Sequence, residues 1–174
     1  MPQPAPNAVV FFGTPEYAVP TLERLHTDSR FDVRAVVTQP DRPAGRKHQL
    51  VAPPVAEVAR SHGYDVLQPE TLRDEAVRQQ LRDCDADLFI VAAFGKIFSQ
   101  AILDIPRLGC LNLHASLLPD YRGAAPITAA ILSGDKKTGV TLMQMERGLD
   151  TGAMIGTIET AISETDTTLS LTER

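Results

Sequence analysis

The chain contains no tryptophan and has few aromatic residues and cysteines. Six Phe and three Tyr are the only aromatic residues among its 174 residues, so a core of useful size must rest on Val, Leu, Ile and Ala. Interiors of this kind are typical of sheets buried on both faces, which favours an α/β fold. The two cysteines, Cys84 and Cys110, form no CxxC pair. This spacing excludes a disulfide framework and a zinc ribbon, and it favours a reducing compartment.

Long apolar runs and a targeting segment are missing from the sequence. The first residues, MPQPAPN, contain neither a cationic nor an apolar stretch, and nowhere do about 18 apolar residues run together. We therefore predict a cytoplasmic, monomeric protein without a membrane partner, with residues 1–8 as a flexible tail. The net charge of −5 argues against wide nucleic-acid binding by the whole surface and allows only a local basic patch.

Strand-like and helix-like segments alternate along the first two thirds of the chain. The apolar run Val9–Phe12 breaks at Gly13–Pro15, and apolar residues then recur at helical spacing. The same alternation predicts strands at 32–38, 66–67, 88–92 and 110–114, and helices at 55–61, 72–82 and 127–133. Apolar strands that alternate with helices predict an α/β fold with a mostly parallel sheet, covered on both faces.

The pattern changes in the last third of the chain. Val140–Met145 and Met154–Thr160 are strand-like runs joined by a short turn, which predicts an antiparallel pair and therefore a partly mixed sheet. Residues 166–174 begin like a capped helix and stop after little more than one turn. We expect from this that the chain is cut short and that a downstream domain is absent.

Asn112 and His114 give the strongest chemical signal. Residues two apart on a strand point to the same face, and both lie near the carboxyl end of the predicted strand 110–114, where open α/β sheets bind ligands. An amide and an imidazole aimed at one point can both donate hydrogen bonds to an oxygen that becomes negative during acyl transfer. A lone histidine is more often a structural residue, but neighbouring residues favour a site here.

Those neighbours are the loop Ser116–Pro126 and the turn that contains Asp150. Pro119 and Gly123 in the loop favour a preformed binding rim. Beside His114, the Asp150 carboxylate would favour the imidazolium and could relay a proton through water. As a solvated turn residue, Asp150 would have no role.

Competing sites have weaker support. The GxGxxG and GxxxxGK[ST] motifs are absent, so we expect Thr14 only to cap the helix that follows it. Ser116, His114 and Asp150 contain the residue types of a hydrolase triad, but no GxSxG elbow presents the serine. Four scattered histidines without HExxH spacing make a zinc site improbable, and no metal is required.

The segment 34–48 is the basic exception in an acidic chain. Four cations stand there against one anion, namely Arg34, Arg42, Arg46 and Lys47 against Asp41. Its prolines and glycine predict a long mobile loop. The loop is either a solvated surface segment or an arm that contacts phosphates of an anionic substrate.

Several sequence blocks together resemble the folate-dependent formyltransferases. The resemblance extends from Val9 to the last residue. Within the family, the sequence is most similar to the members that act on methionyl initiator tRNA. Its most specific blocks are Phe12–Glu16, Thr38–Arg46, Asn112–Pro119, Tyr121–Pro126 and Gly148–Gly152.

This resemblance implies a Rossmann-like three-layer fold over residues 9–174 and transfer of the formyl group of 10-formyltetrahydrofolate to methionyl initiator tRNA. Asn112 and His114 would stabilise the oxyanion of a tetrahedral intermediate, and Asp150 would tune His114 and relay protons. The implied folate-binding residues are Phe94, Gly95, Lys96, Ile97, Ser116, Leu117, Leu118 and Pro119. The implied tRNA-binding residues are Arg42, Arg46 and Lys47.

Members of this family ordinarily add a C-terminal β-barrel that binds tRNA, and we expect it to be absent from this chain. Two alternatives stay open. One is a formyltransferase for a small amine, such as glycinamide ribonucleotide or an amino sugar nucleotide. The other is a non-catalytic folate-binding module.

Overall fold

The computed structural model describes residues 5–45 and 49–174 of the chain. They form two compact units, Met1–Cys110 and Leu111–Arg174. No helix in these described ranges is both long enough and apolar enough to cross a membrane.

The first unit is built on parallel strands with helices between them. Its sheet has the order β5-β2-β1-β6, and each of these pairs is parallel. The elements along the chain are β1 (Asn7–Gly13), a 3-10 turn (Glu16–Ala18), α1 (Val19–Thr27), β2 (Phe31–Val37), β3 (Arg42–Ala44), β4 (Gln49–Val51), α2 (Pro54–Ser61), β5 (Val66–Leu67), α3 (Glu75–Asp83), β6 (Leu88–Ala92) and α4 (Gln100–Leu103).

Strand β1 lies at the centre of this unit. The run Val9–Phe12 is fully buried, which is what a strand covered on both faces requires. Phe12 packs against three other phenylalanines, with ring centroids 5.0 to 5.4 Å apart, namely Phe89, Phe94 and Phe98. The scarce aromatic residues are therefore concentrated in one core cluster.

The basic segment 34–48 differs from the predicted loop. Arg34 belongs to β2, where its side chain pairs with Asp32 at 2.9 Å. Beyond it, β3 and β4 form a small antiparallel hairpin in which Arg42 lies opposite Val51. The prediction of a loop was wrong here, because Pro43 and Gly45 occupy a hairpin and not an irregular segment. Arg46 and Lys47 lie outside the described residues.

Thr14 does not cap a helix, contrary to our expectation. Pro15 is the residue that precedes the 3-10 turn, and no side chain caps that turn. The Thr14 hydroxyl instead donates to the Phe94 carbonyl at 3.2 Å and accepts from the Gln39 amide at 3.4 Å. It links two loops that follow neighbouring strands.

The second unit is antiparallel. Its elements are β7 (Cys110–His114), which begins at the last residue of the first unit, α5 (Pro126–Leu132), β8 (Lys137–Gln144), β9 (Met154–Ala161) and α6 (Thr168–Glu173). β8 pairs with both β7 and β9. Gly139 allows the close approach of β9, since a Cβ there would lie 2.0 Å from the Ile158 carbonyl oxygen. Parallel pairs in one unit and antiparallel pairs in the other confirm the α/β class with mostly parallel, partly mixed pairing.

Candidate active site

Strand β7 places Asn112 and His114 on one face near its carboxyl end. In the antiparallel register Asn112 lies opposite Met143 and His114 opposite Thr141 of β8. His114 is buried, whereas Asn112 is partly exposed. An amide and an imidazole therefore share one face, as the spacing predicts.

Asp150 lies beside His114, as expected from its turn. His114 Nδ1 and Asp150 Oδ2 are 3.7 Å apart, and the two side chains are 7% and 13% exposed. This separation is longer than a hydrogen bond. The carboxylate therefore lies beside the ring without a direct hydrogen bond to it.

The other ring nitrogen of His114 is held by the backbone. Nε2 lies 2.9 Å from the carbonyl oxygen of Tyr121. A carbonyl can only accept, so Nε2 carries the proton and donates it. In the neutral ring Nδ1 then has a lone pair facing Asp150, and only the imidazolium presents an N–H there.

Side-chain hydrogen bonds fasten the loop 116–126 to β8 and to the turn that contains Asp150. The fully buried Thr141 hydroxyl donates to the Ser116 carbonyl at 2.7 Å and accepts from the Leu118 amide at 3.1 Å. Asp150 Oδ2 accepts from the Gly123 amide at 2.8 Å. The carboxylate that faces His114 thus also fixes the loop.

Ser116 serves this loop and not a nucleophilic triad. It is fully buried, and its hydroxyl donates to the Asp120 carbonyl at 2.6 Å. The hydroxyl is therefore committed to the loop backbone. Of the next two residues of the loop, Leu118 is buried and Leu117 is half-buried.

The turn between β8 and β9 has strict steric limits. A Cβ on Gly152 would lie 1.8 Å from the Gln144 carbonyl oxygen, a distance that only glycine permits. Asp150 itself has a left-handed backbone with φ of 51°. The turn is thus held close to β8 while it presents the Asp150 side chain.

The segment Phe94–Ile97 belongs to the first unit. Phe94 is buried in the phenylalanine cluster, and its carbonyl accepts from Thr14 and Gln39. Gly95 has φ of 81°, and the Ile97 side chain is 85% exposed. The segment therefore presents peptide groups and one apolar side chain.

Lys96 is tied down by carbonyl oxygens. Its ammonium donates to the carbonyls of Pro69 and Glu70. Desolvation lowers the pKa of Lys96, opposed by the charge of Glu70 and assisted by that of Arg42. Arg42, the described member of the predicted tRNA arm, is exposed and pairs with Glu70 at 3.3 Å.

Two interactions of the site have no signal in the local sequence. Thr141 is an ordinary strand residue in the sequence, and Tyr121 acts on His114 through its carbonyl, which every residue has. Within the described ranges, no group of three or more His, Cys, Asp or Glu side chains is arranged to hold a metal ion.

Comparison with known proteins identifies relatives along almost the whole chain. The family model described as formyl transferase matches residues 7–174. A methionyl-tRNA formyltransferase of Stutzerimonas stutzeri is 54% identical over 169 residues, which are 97% of this chain and 54% of the relative. One of Geobacter metallireducens is 50% identical over 167 residues, 96% of this chain and 53% of the relative. The chain thus spans about half the length of the curated relatives it matches.

Solved structures share the fold at low sequence identity. Glycinamide ribonucleotide transformylase 1 of Symbiobacterium toebii superposes with a TM-score of 0.78 at 21% identity, over 98% of this chain and 81% of that chain. A formyltetrahydrofolate deformylase of Pseudomonas syringae pv. tomato gives a TM-score of 0.75 at 21% identity, over 98% of this chain and 56% of that chain. These likenesses confirm the Rossmann-like formyltransferase fold.

Proposed function

This chain belongs to the formyl transferase family, and from that premise we propose that it transfers the formyl group of 10-formyltetrahydrofolate to the amino group of methionyl initiator tRNA. The observation that carries the proposal is the geometry of Asn112, His114 and Asp150. They bring an amide, an imidazole and a carboxylate together at the end of β7. Acyl transfer to an amine requires functional groups of these kinds.

Asn112 and His114 act on the formyl oxygen. When the amine attacks the formyl carbon as its free base, that oxygen becomes negative. The Asn112 side-chain amide and the Nδ1–H of the His114 imidazolium donate to it. Donors aimed at an oxyanion stabilise the tetrahedral stage more than the bound substrates, so they raise kcat.

Asp150 supplies the charge balance and the proton path. Its carboxylate, 3.7 Å from Nδ1, stabilises the imidazolium that donates. It also accepts, through water, the proton that the attacking amine loses. The proton then returns to the leaving nitrogen of tetrahydrofolate, so that the C–N bond to the donor breaks as the new amide forms.

The chemistry of two segments fits the formyl donor. A pterin has flat faces and polar edges, which apolar side chains and peptide groups recognise together. Ile97 and Leu117 offer apolar side chains, while Gly95 has a left-handed backbone and Pro119 belongs to a turn. We propose Phe94, Gly95, Lys96, Ile97, Ser116, Leu117, Leu118 and Pro119 as the folate-binding residues.

The tRNA substrate is supported by two observations. The relatives at 50–54% identity are methionyl-tRNA formyltransferases, and the basic segment supplies Arg42, Arg46 and Lys47 for phosphate contacts. We propose that the remaining tRNA contacts are made by a β-barrel domain of the kind that the family carries. Because this substrate belongs to translation, we propose that the reaction takes place in the cytoplasm.

Formyl transfer assays with single variants test the proposal. Asn112→Ala and His114→Ala each remove one oxyanion donor, and kcat should fall about 100-fold or more with folate affinity little changed. His26→Ala, which removes an exposed histidine on α1, is the matched control and should leave kcat unchanged. Assays with methionyl initiator tRNA and glycinamide ribonucleotide in parallel identify the acceptor. Near-normal kcat in both site variants, or preference for the small amine, would contradict the proposal.

A further inference from the structure

Both ring nitrogens of His114 face residues with an unusual backbone. Nε2 donates to Tyr121, which has φ of 55°, and Nδ1 faces Asp150, which has φ of 51°. The left-handed region is costly for any residue with a Cβ, and it persists where the surroundings hold the residue in place. Asp150 is held by its bond to the Gly123 amide. Tyr121 needs an anchor of its own.

The anchor of Tyr121 is its hydroxyl. The hydroxyl donates to Asp135 Oδ2 at 2.7 Å, and a charged acceptor makes this a strong type of hydrogen bond. Asp135 lies between α5 and β8, directly after Gly134, whose φ is 73°. The bond therefore ties the middle of the loop 116–126 to the start of a strand. The mechanism proposed above uses neither residue.

We propose that Tyr121 and Asp135 are a positioning pair that fixes the tautomer and the ring orientation of His114. The hydroxyl bond holds the Tyr121 peptide so that its carbonyl oxygen accepts from Nε2. This bond keeps the proton of the neutral ring on Nε2 and orients the ring so that Nδ1 faces Asp150. If the Tyr121 peptide rotates, Nε2 loses its acceptor, and the other tautomer or a flipped ring becomes accessible. The kinetic part of this inference rests on the proposed function, whereas the tautomer does not.

Nitrogen-15 NMR of histidine-labelled protein tests the tautomer directly. His114 signals are assigned by their loss in His114→Gln. In the wild type the neutral ring should be almost entirely the Nε2–H form, and in Tyr121→Phe the fraction of the Nδ1–H form should rise at least fivefold. Asp135→Asn, which keeps the tyrosine and weakens its acceptor, should shift the fraction in the same direction by less.

Tyr64→Phe is the matched control. The Tyr64 hydroxyl lies 2.7 Å from His26 Nδ1, so this variant removes a tyrosine hydroxyl beside another histidine. It should move the His26 signals and leave those of His114 unchanged. Unchanged His114 signals in both Tyr121→Phe and Asp135→Asn would overturn the inference and show that the bond only stabilises the loop.

Kinetics separates this inference from the proposed function. In Tyr121→Phe, kcat for formyl transfer should fall about tenfold, while KM for 10-formyltetrahydrofolate should stay within twofold of the wild type. A tautomer change without a fall in kcat would refute positioning for catalysis. A wild-type protein without formyl transfer refutes the proposed function, and the NMR result then still decides whether Tyr121 and Asp135 position His114.

Discussion

Replacing Thr141 with valine should release the loop that carries part of the proposed folate site. Valine keeps the shape and the strand preference of threonine, so the packing is almost unchanged. The lost hydroxyl leaves the Leu118 amide and the Ser116 carbonyl without the partner that holds them in a buried place. An unsatisfied buried group costs about 1–3 kcal/mol, so the two together should lower the free energy of unfolding by about 3 kcal/mol.

Urea denaturation and calorimetry measure this loss. A loss of about 3 kcal/mol corresponds to a fall of roughly 6–12 °C in Tm for a chain of this size. Affinity for a reduced folate should fall in parallel, because Leu118 belongs to the proposed folate-binding loop. Thr141→Ser restores the hydroxyl and loses only a methyl group, so it should recover most of the stability.

Thr157→Val is the matched control for Thr141→Val. Thr157 lies directly opposite Thr141 on β9 but is exposed. The same change there should alter the free energy of unfolding by less than about 0.5 kcal/mol. Equal and small effects of the two valine substitutions would refute the reasoning, since the buried hydroxyl would then contribute no more than an exposed one.

Two other predictions concern the proposed tRNA-binding residues and the response to acid. Arg46→Ala should reduce the use of tRNA as substrate and flatten the salt dependence of tRNA binding without changing folate binding. An equal loss of folate binding, measured by calorimetry, would show that Arg46 supports the folate site instead. The pKa of Asp166 is held well below its usual range by the Ser163 amide, the Arg174 side chain and the Ser170 hydroxyl. The contribution of Asp166 to stability is therefore complete above the unfolded pKa of about 4 and is lost as the pH falls below it. Asp166→Asn should flatten the acid limb of a pH–stability curve. An unchanged limb would show that other carboxylates determine the loss of stability in acid.

The strands that are defined by continuous apolar runs could be predicted from the sequence. β6 and β7 have the predicted bounds, and β8 and β9 form the predicted antiparallel pair. The proximity of His114 and Asp150 could also be predicted, because such a sheet allows few positions for the end of a strand and for a short turn. In these strands the run of apolar residues indicates burial, and burial determines where the strands lie.

Other features carry no signal in local sequence. The hairpin of β3 and β4 was missed because Pro43 and Gly45 are typical of loops, and the single turn α4 is too short to show a period. The bonds of Thr141 reach residues 23 and 25 positions away. Such partners depend on the tertiary fold and not on the neighbours in the chain.

Thr141 and Asp150, two of the side chains that fasten the loop 116–126 from outside it, both come later in the chain than the loop. Thr141 and Asp150 reach back over 23 to 27 residues, and closing such loops has an entropic cost that only a formed β8–β9 hairpin can offset. During synthesis, the loop therefore leaves the ribosome before Thr141 and Asp150 exist to hold it. The amides of Leu118 and Gly123 should gain protection from hydrogen exchange together with the hairpin and not with β7. The site is thus completed by strands that are made after the strand to which its central residue belongs.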